Sequence, residues 1–470
     1  MVEESQPRAD AHGPVDLVGA RSPADAGLSS LALLMQLVGT LGAVLFSVLS
    51  LLPIIAGGGA VLLFFVFISF AIRGGCHRAA GTAMLHSANP ARAVHVYIGV
   101  ALVHTAGMVL LLHRFVGDDL TTVLRNGLLL GIWPIALLVI TLLPRFRRFF
   151  REGVPAAEDL GYEGVSVLML LLSLMGLSVG ILIVITLGAA AGSALGSPAV
   201  MLPMGVLVFL VVRSAFHFRA GLSGVRGLHH LGEEQGMRYV SLGVSSALVA
   251  TCAAFLEGMM TGSALAGFIV AVLLGGMLLA WPMIVRRYYI ERSFAVALAM
   301  DEAPVLRRTP DAGLTALGWF LLGSALLGLA NGVPEALFGD AETREALRDL
   351  GKFGIGNELG AELRSAWWHV GVSGLQLWAG IELIRMSDHH RIATLIFAGV
   401  SIAVTAYVTW PQLQALPDLI ASLDAGAGVI ARIAIIGAVG MGLVLPIAAI
   451  ALVVRRGNDT AVARYRGAHA

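Results

Sequence analysis

The stretch LSSLALLMQLVGTLGAVLFSVL, residues 28–49, decides the fold class because none of its side chains is charged. An α-helix rises about 1.5 Å per residue, so roughly 20 apolar residues cross a hydrocarbon core about 30 Å thick. Comparable apolar runs recur along almost the whole chain. Because lipid offers no hydrogen-bond partners to the backbone, each run is predicted to be a membrane-spanning α-helix.

The composition of the 470-residue chain agrees with this interpretation and excludes a soluble protein. Hydrophobic residues make up 57% of the chain and charged residues 13%, compared with about 25% charged residues in ordinary globular domains. We therefore predict an all-α, polytopic bundle of transmembrane helices. The sequence has no phosphate-binding loop, nucleophile elbow, HExxH motif or nucleic-acid-binding module. We expect a protein that is not an enzyme and that has the lipid bilayer, not nucleic acid, as a partner.

Apolar runs bounded by glycine, proline and charge predict about twelve spans. Their first residues are expected near Leu28, Gly58, Arg92, Thr122, Tyr162, Pro198, Arg238, Gly262, Asp311, Trp367, Arg391 and Gly428. Most of the 31 basic residues fall in the N-terminal segment and in the even-numbered connections. Because cytoplasmic loops are enriched in Lys and Arg, both termini are predicted to be cytoplasmic. We expect the protein to lie in the inner membrane of a bacterium.

Three regions lie outside the predicted spans. Residues 1–27 are polar and lack the basic and apolar regions of a cleavable signal peptide, so we expect a disordered cytoplasmic segment there. Residues 457–470 are the predicted cytoplasmic tail. Residues 333–365 form a long acidic loop on the outer side, within which AETREALRDLGKF places three apolar side chains on one helical face. This loop is expected to hold a short interfacial helix, either simply solvated or acting as a lid or docking element.

Two segments of the chain are near copies of each other. FAIRGGCHRAAG, residues 70–81, aligns without a gap with LVVRSAFHFRAG, residues 210–221, and residues 372–380 continue the series in weaker form. A Trp-Pro pair also recurs, at 133–134 and 281–282. These copies predict three tandem repeats of four helices in one orientation around a pseudo-threefold axis. The predicted units are residues 28–150, 160–300 and 310–456.

The repeated segments contain the residues predicted to bind a solute. Arg73 and His77, like Arg213 and His217, are four residues apart and therefore share a helical face, and Gln376 takes the histidine position in the third segment. Ionisable groups inside a membrane are costly and mark functional sites. Convergence of these side chains on the axis would create a cationic site for a small anionic or polar solute. Alternatively, the arginines only satisfy the positive-inside rule and the histidines pack against neighbouring helices.

Glu382, near the cytoplasmic end of the tenth span, is the remaining candidate for solute binding. It precedes Arg385 by three residues and can pair with it on the same helix. Glu257 is the other carboxylate within a span, so the sequence gives little support for proton coupling. Cys76 and Cys252 fall in or beside spans, where neither a disulfide nor a metal site is expected.

A ladder of histidines raises the possibility of a b-type haem. Histidines recur at a constant interval from His77 to His113, and histidines on neighbouring helices are common haem ligands. The candidate ligands are His77, His95 and His104. An interval of nine residues turns a helix by about 900°, so consecutive histidines point to opposite sides. Packing roles are therefore favoured over haem binding, and no other cofactor or metal is expected.

Three functions follow from these observations. The leading one is a transporter or channel-like protein for a small polar or anionic solute. The second is a non-catalytic structural or assembly subunit that contacts other protein subunits through its cytoplasmic arginine-rich loops or through residues 333–365. The third is a membrane electron carrier that contains haem b.

Overall fold

The computed structural model describes residues 23–51, 53, 61–86, 90–116, 120–143, 146, 150, 162–191, 198–226, 229–260, 262–294, 310–338, 356–422, 442–455 and 462. Every regular element within these ranges is helical, and none of these residues lies in a strand. The predicted all-α fold is therefore confirmed. Most of the predicted cytoplasmic segments 1–27 and 457–470 lies outside the described residues.

The described helices are numbered here in chain order. They are α1 (Pro23–Leu49), α2 (Val61–His86), α3 (Pro90–Val116), α4 (Leu120–Leu142), α5 (Tyr162–Ala191), α6 (Pro198–Arg226), α7 (His229–Met260), α8 (Ala264–Ile284), α9 (Pro310–Phe338), α10 (Gly356–Arg385), α11 (His390–Ser422) and α12 (Gly442–Val453). A π-helical segment, Val285–Phe294, continues α8. Four helices begin at a proline, whose fixed φ and missing N–H suit the first helical position.

Nine helices within the described residues are long and apolar enough to cross a membrane: α1 to α4, α6 to α9, and α11. The protein therefore has the character of a multi-pass membrane protein. The described apolar parts of α5 and α12, Glu163–Ser178 and Gly442–Val453, are shorter. The total of twelve spans and the cytoplasmic side of the termini stay predictions.

The acidic loop predicted at residues 333–365 is partly helical. α9 continues to Phe338 and α10 begins at Gly356, so both ends of the predicted loop belong to long helices. Residues 341–353, the predicted interfacial helix, lie outside the described residues.

Glycines bring the second helix of each predicted unit against the first. Gly81, Gly221 and Gly380 end the three repeated segments described above. A Cβ added at these positions would meet backbone atoms of α1, α5 and α9 at 2.7, 2.7 and 2.9 Å, namely Ala32 O, Leu170 N and Gly318 O. Small residues allow such close backbone approach, which is how helices pack in membranes, where the hydrophobic effect gives little association energy.

The first helices of the predicted units, α1, α5 and α9, contact one another pairwise. All three contribute buried apolar side chains to one core cluster, including Leu28, Leu31, Val165, Leu168, Leu314 and Leu317. Near the start of α5, a Cβ added at Gly164 would lie 3.0 Å from Ser30 Oγ and 3.1 Å from the Ala312 carbonyl oxygen. Side chains and backbone therefore fill the space between these helices at that level.

Contacts also join the last helix of each predicted unit to the first helix of another. α4 packs against α9, and α8 packs against α1. Three side-chain contacts define these joints: Phe146 to Trp319 at 5.9 Å between ring centroids, Gln36 Nε2 to Tyr288 OH at 3.1 Å, and Arg455 Nη1 to Glu163 Oε1 at 2.6 Å. They connect Phe146, four residues after α4, to α9, the segment after α8 to α1, and Arg455, two residues after α12, to α5.

Candidate functional site

Arg73 lies near the middle of α2, about 18 Å along the axis from the first residue of the helix. Its guanidinium reaches the two following helices. Nη1 lies 3.2 Å from His104 Nδ1 and donates to Thr105 Oγ1 at 3.3 Å, both on α3. Nη2 donates to the carbonyl oxygen of Leu130 on α4. Arg73 therefore holds three helices together near the middle of α2.

His77, one turn after Arg73, is buried between the same helices. Its ring stacks on Tyr97 at 4.6 Å between centroids and an interplanar angle of 11°. Trp133 Nε1 donates a hydrogen bond to His77 Nε2 at 3.1 Å. Because an indole N–H is only a donor, Nε2 carries no proton, and the imidazole is neutral with its hydrogen on Nδ1. We call Arg73, His77, Tyr97, His104 and Trp133 the first cluster.

Arg213 on α6 makes a corresponding set of contacts. Nη1 donates to Ser246 Oγ at 3.2 Å, and Nη2 donates to Tyr239 OH at 3.3 Å and to the Leu278 carbonyl oxygen at 3.0 Å. The guanidinium carbon also lies 5.6 Å from the centroid of the Tyr239 ring, a distance at which a cation is attracted to an aromatic face. The acceptors come from α7 and α8, the helices that follow α6.

His217 repeats the arrangement of His77. It stacks on Tyr239 at 4.2 Å and 13°, and its Nε2 accepts a hydrogen bond from Trp281 Nε1 at 2.8 Å. The same argument makes this imidazole neutral. Arg213, His217, Tyr239, Ser246 and Trp281 are the second cluster, and the two clusters match in residue type at every position except His104, where the second cluster has Ser246.

Neither guanidinium contacts a carboxylate within the part of the chain that the structure describes. Their hydrogen-bond partners are hydroxyl, imidazole and carbonyl groups. Such partners satisfy N–H donors and leave the positive charge of the arginine without a counter-ion. Each cluster is therefore cationic and polar, and lies between helices about halfway along their length.

The described residues of the third predicted unit contain no such cluster. Gln376 is buried on α10, and its Nε2 donates to Ser324 Oγ on α9. Val372 stands at the arginine position. Phe397 is the eighth residue of α11, as Tyr97 is of α3. Leu445 precedes a proline, as the tryptophans of the other two predicted units do. The arginine, tyrosine and tryptophan of the clusters are thus all replaced by apolar residues in the third predicted unit.

Glu382 lies apart from both clusters, near the end of α10. Its carboxylate accepts a hydrogen bond from Ser387 Oγ, in the turn between α10 and α11. The backbone N–H of Ser387 also donates to the Glu382 carbonyl oxygen at 3.1 Å. Arg385, the expected partner, is exposed. The described contacts of Glu382 thus stabilise the turn that ends α10.

The structure divides the predicted solute-binding residues into separate places. Arg73 and His77 come together, and so do Arg213 and His217, but each pair is enclosed by helices of its own predicted unit. Gln376 faces α9. The helices that contact one another at the centre are α1, α5 and α9, and neither the arginines nor the histidines belong to them.

The histidines considered as haem ligands have different surroundings. His77 uses Nε2 to accept from Trp133, and His104 uses Nδ1 for Arg73. His95 is exposed. Ligation of haem by His77 Nε2 would require loss of the tryptophan hydrogen bond. Within the described residues, no group of three or more His, Cys, Asp or Glu side chains is arranged to hold a metal ion.

Sequence reasoning missed a buried ion pair, Arg455 with Glu163. The Glu163 side chain is 6% exposed and that of Arg455 19%, and the two residues are 292 positions apart. The available signal was the position of Glu163 in the first turn of an otherwise apolar helix, where the helix dipole favours a carboxylate. Nothing in the sequence identified Arg455 as its partner.

Comparisons with known protein families, curated proteins and solved structures find no match to this chain.

Proposed function

We propose that this protein is a transporter or channel-like protein that binds and passes a small anionic or polar solute across the inner membrane of a bacterium. The observation that carries the proposal is the pair of cationic clusters at Arg73 and Arg213. Both guanidiniums lie inside helices that are apolar enough to span a membrane, and both have only neutral partners among the described contacts.

The energetic argument is that an isolated charge inside a bilayer is destabilising and is kept where function requires it. Insertion scales give about 2.5–3.5 kcal/mol for an arginine at the centre of a helix. Hydrogen bonds to Thr105, Leu130, Ser246 and Leu278 offset part of this cost. The uncompensated charge favours an anion, and the planar guanidinium is suited to bind a carboxylate or oxyanion in two-point fashion.

The proposal includes three units of four helices arranged around a pseudo-threefold axis along the membrane normal. Two sets of contacts support it: the close approach of Gly81, Gly221 and Gly380 to the first helix of their own unit, and the joints between units. Because α1, α5 and α9 fill the centre near Gly164, the proposed solute route runs beside the axis, through the clusters.

The test is anion flux through proteoliposomes that contain the full chain. Solid-supported-membrane currents would be recorded with chloride, nitrate and acetate gradients for the native protein, for R73Q and R213Q, and for the double variant. We expect the double variant to lower the current about tenfold or more, since a hydrogen bond to a charged group contributes about 1.5–3 kcal/mol. R238Q is the matched control, because Arg238 is exposed on α7 and pairs with Glu234. Currents that are the same in the double variant and the native protein would contradict the proposal.

A second function, a structural or assembly subunit of a membrane complex, is supported by the packed contacts among α1, α5 and α9. Such a protein would bind other subunits through its arginine-rich loops or through residues 333–365. It would give no current above that of empty liposomes with any of the anions, and it would migrate in a larger assembly when extracted gently from its native membrane.

A further inference from the structure

We infer that the first cluster is the one with a free donor, and that His104 Nε2–H binds an acceptor atom of a small monovalent anion, whose charge is balanced by the Arg73 guanidinium on the opposite side of the imidazole ring. This inference rests on the proposed function and deepens it by assigning the site, the ligand class and a residue that distinguishes the two clusters. It starts from the one position at which the clusters differ, His104 against Ser246.

The hydrogen-bond geometry fixes the tautomer of His104. Arg73 Nη1 lies 3.2 Å from His104 Nδ1. A guanidinium has only N–H donors, so Nδ1 must be the acceptor and cannot carry a proton. The hydrogen of the neutral imidazole is therefore on Nε2, which becomes a donor.

That donor has no acceptor. His104 Nε2 is buried, and no hydrogen-bond partner reaches it within the residues that the structure describes. A buried donor without an acceptor costs about 1–3 kcal/mol, so such groups usually have a ligand or water. The Phe70 ring packs edge-to-face on the imidazole at 4.4 Å between centroids, and an N–H contact to this ring is the competing explanation.

The corresponding position of the second cluster has no free donor. Ser246 Oγ accepts from Arg213 and donates its own hydrogen to the Gly243 carbonyl oxygen at 2.8 Å. Tyr239 OH accepts a further hydrogen bond from Arg213, and its ring lies under the guanidinium. Ser246 thus uses its hydroxyl both as an acceptor and as a donor, whereas His104 leaves one donor unmatched beside a cation.

These features define the ligand chemically. It must supply an acceptor to Nε2–H, and a negative charge is favoured because Arg73 has no counter-ion among its described contacts. A single cation is balanced by a single negative charge. The site lies near the middle of α2 and α3, at which depth a large or multiply charged solute would be costly to desolvate. Small monovalent oxyanions and carboxylates, such as nitrate and acetate, fit this description.

The first experiment measures anion binding by thermal unfolding of the full chain in detergent, with sodium nitrate or sodium acetate titrated against sodium gluconate at constant ionic strength. We expect the native protein to gain a saturable increase in its unfolding midpoint. H104S, which places the residue of the second cluster in the first, should lose this increase, as should R73Q. R238Q should retain it. H104Q keeps a side-chain donor and should weaken the midpoint shift less than H104S does.

A second measurement observes nitrate binding directly in the native protein and uses a variant only to assign the signal. In solid-state NMR spectra of protein labelled with [15N]histidine, nitrate should move one protonated ring-nitrogen signal, and that signal should be missing in H104S. An unshifted set of histidine signals in the native protein would overturn the inference in favour of the contact with Phe70. Nitrate stabilisation that is kept in H104S but lost in R213Q would overturn it as well.

These outcomes separate the inference from the proposed function. Nitrate binding that requires His104 and Arg73 without any anion current would uphold the site and contradict transport. Anion current that depends on Arg213 and is unaffected in H104S would uphold transport and contradict the assignment of the anion site to the first cluster.

Discussion

At the scale of single residues, the tryptophans of the two clusters hold buried histidines in one protonation state. Trp281 donates to His217 at 2.8 Å, and His217 is 5% exposed. In Trp281→Phe the histidine nitrogen stays buried without a donor, which we expect to cost about 1–3 kcal/mol. The thermal unfolding midpoint in detergent should fall accordingly.

Trp368→Phe is the control for this substitution. Trp368 is 47% exposed on α10, so the same exchange there should change the unfolding free energy by less than about 0.5 kcal/mol. Equal effects of the two substitutions would mean that the hydrogen bond to His217 contributes nothing to stability.

The sequence predicted part of each cluster. The four-residue spacing correctly placed Arg73 and His77 together, because it follows from helical geometry alone. Tyr97 and His104 were not predicted as their partners, since these contacts depend on the register between two helices. The repeated Trp-Pro pairs marked Trp133 and Trp281 as equivalent positions, but not as hydrogen-bond donors.

At the scale of helices, the contact between α1 and α2 depends on a missing side chain. An alanine Cβ at Gly81 would lie 2.7 Å from the Ala32 carbonyl oxygen, so Gly81→Ala must move two backbones apart. Overpacking of this kind costs about 1–3 kcal/mol. We expect a lower unfolding midpoint for Gly81→Ala than for the native protein.

Gly75 on the same helix provides a matched control. A Cβ at this position meets nothing within 4 Å, so Gly75→Ala should be neutral or stabilise the helix by up to about 1 kcal/mol through better helix propensity. A Gly81→Ala protein that is as stable as Gly75→Ala would show that α1 and α2 adjust without cost.

Helix boundaries were predictable where a proline or an apolar run marks them. The predicted starts at Tyr162 and Pro198 are confirmed. α10 instead begins at Gly356, eleven residues before the predicted start at Trp367. The prediction failed there because hydropathy reports the apolar part of a helix, and the first turns of α10 contain acidic residues that continue the helix without continuing the apolar run.

At the scale of the whole molecule, the ion pair between Glu163 and Arg455 joins the first helix of one predicted unit to the end of another. Removing one partner of a buried pair leaves an uncompensated charge and costs about 3–5 kcal/mol. For Glu163→Gln we expect a loss of about 3 kcal/mol, the lower end of that range, because the Arg455 side chain is 19% exposed. Denaturant or thermal unfolding in detergent measures it.

Glu234→Gln tests whether burial causes this effect. Glu234 also pairs with an arginine, Arg238, at 2.6 Å, but both side chains are more than half exposed. Exposed pairs contribute about 0–1 kcal/mol, so Glu234→Gln should be nearly neutral.

The double variant Glu163→Gln with Arg455→Gln should regain part of the stability lost in the Glu163→Gln variant. If the effects of the two substitutions on the unfolding free energy simply add, the two side chains are not coupled.

The repeats stay a prediction from the sequence, which did not indicate which helices meet at the centre. The arginine and histidine stripe was expected to converge there, because a charged group needs a protein or water environment. The structure satisfies that need between the second, third and fourth helices of a unit. The run from Val165 to Leu168 on α5 is uniformly buried, but its sequence did not mark it as central, because a helix that faces lipid is apolar on all sides as well.

The three joints have a consequence for symmetry. Under the proposed division, every joint pairs the end of one unit with the first helix of another, which is a head-to-tail interface that closes after three copies. No four-helix unit then covers its own first helix completely. A single unit made as a separate protein would expose that surface in the membrane, and three copies would be expected to associate as a cyclic trimer, of which the present chain is the fused form.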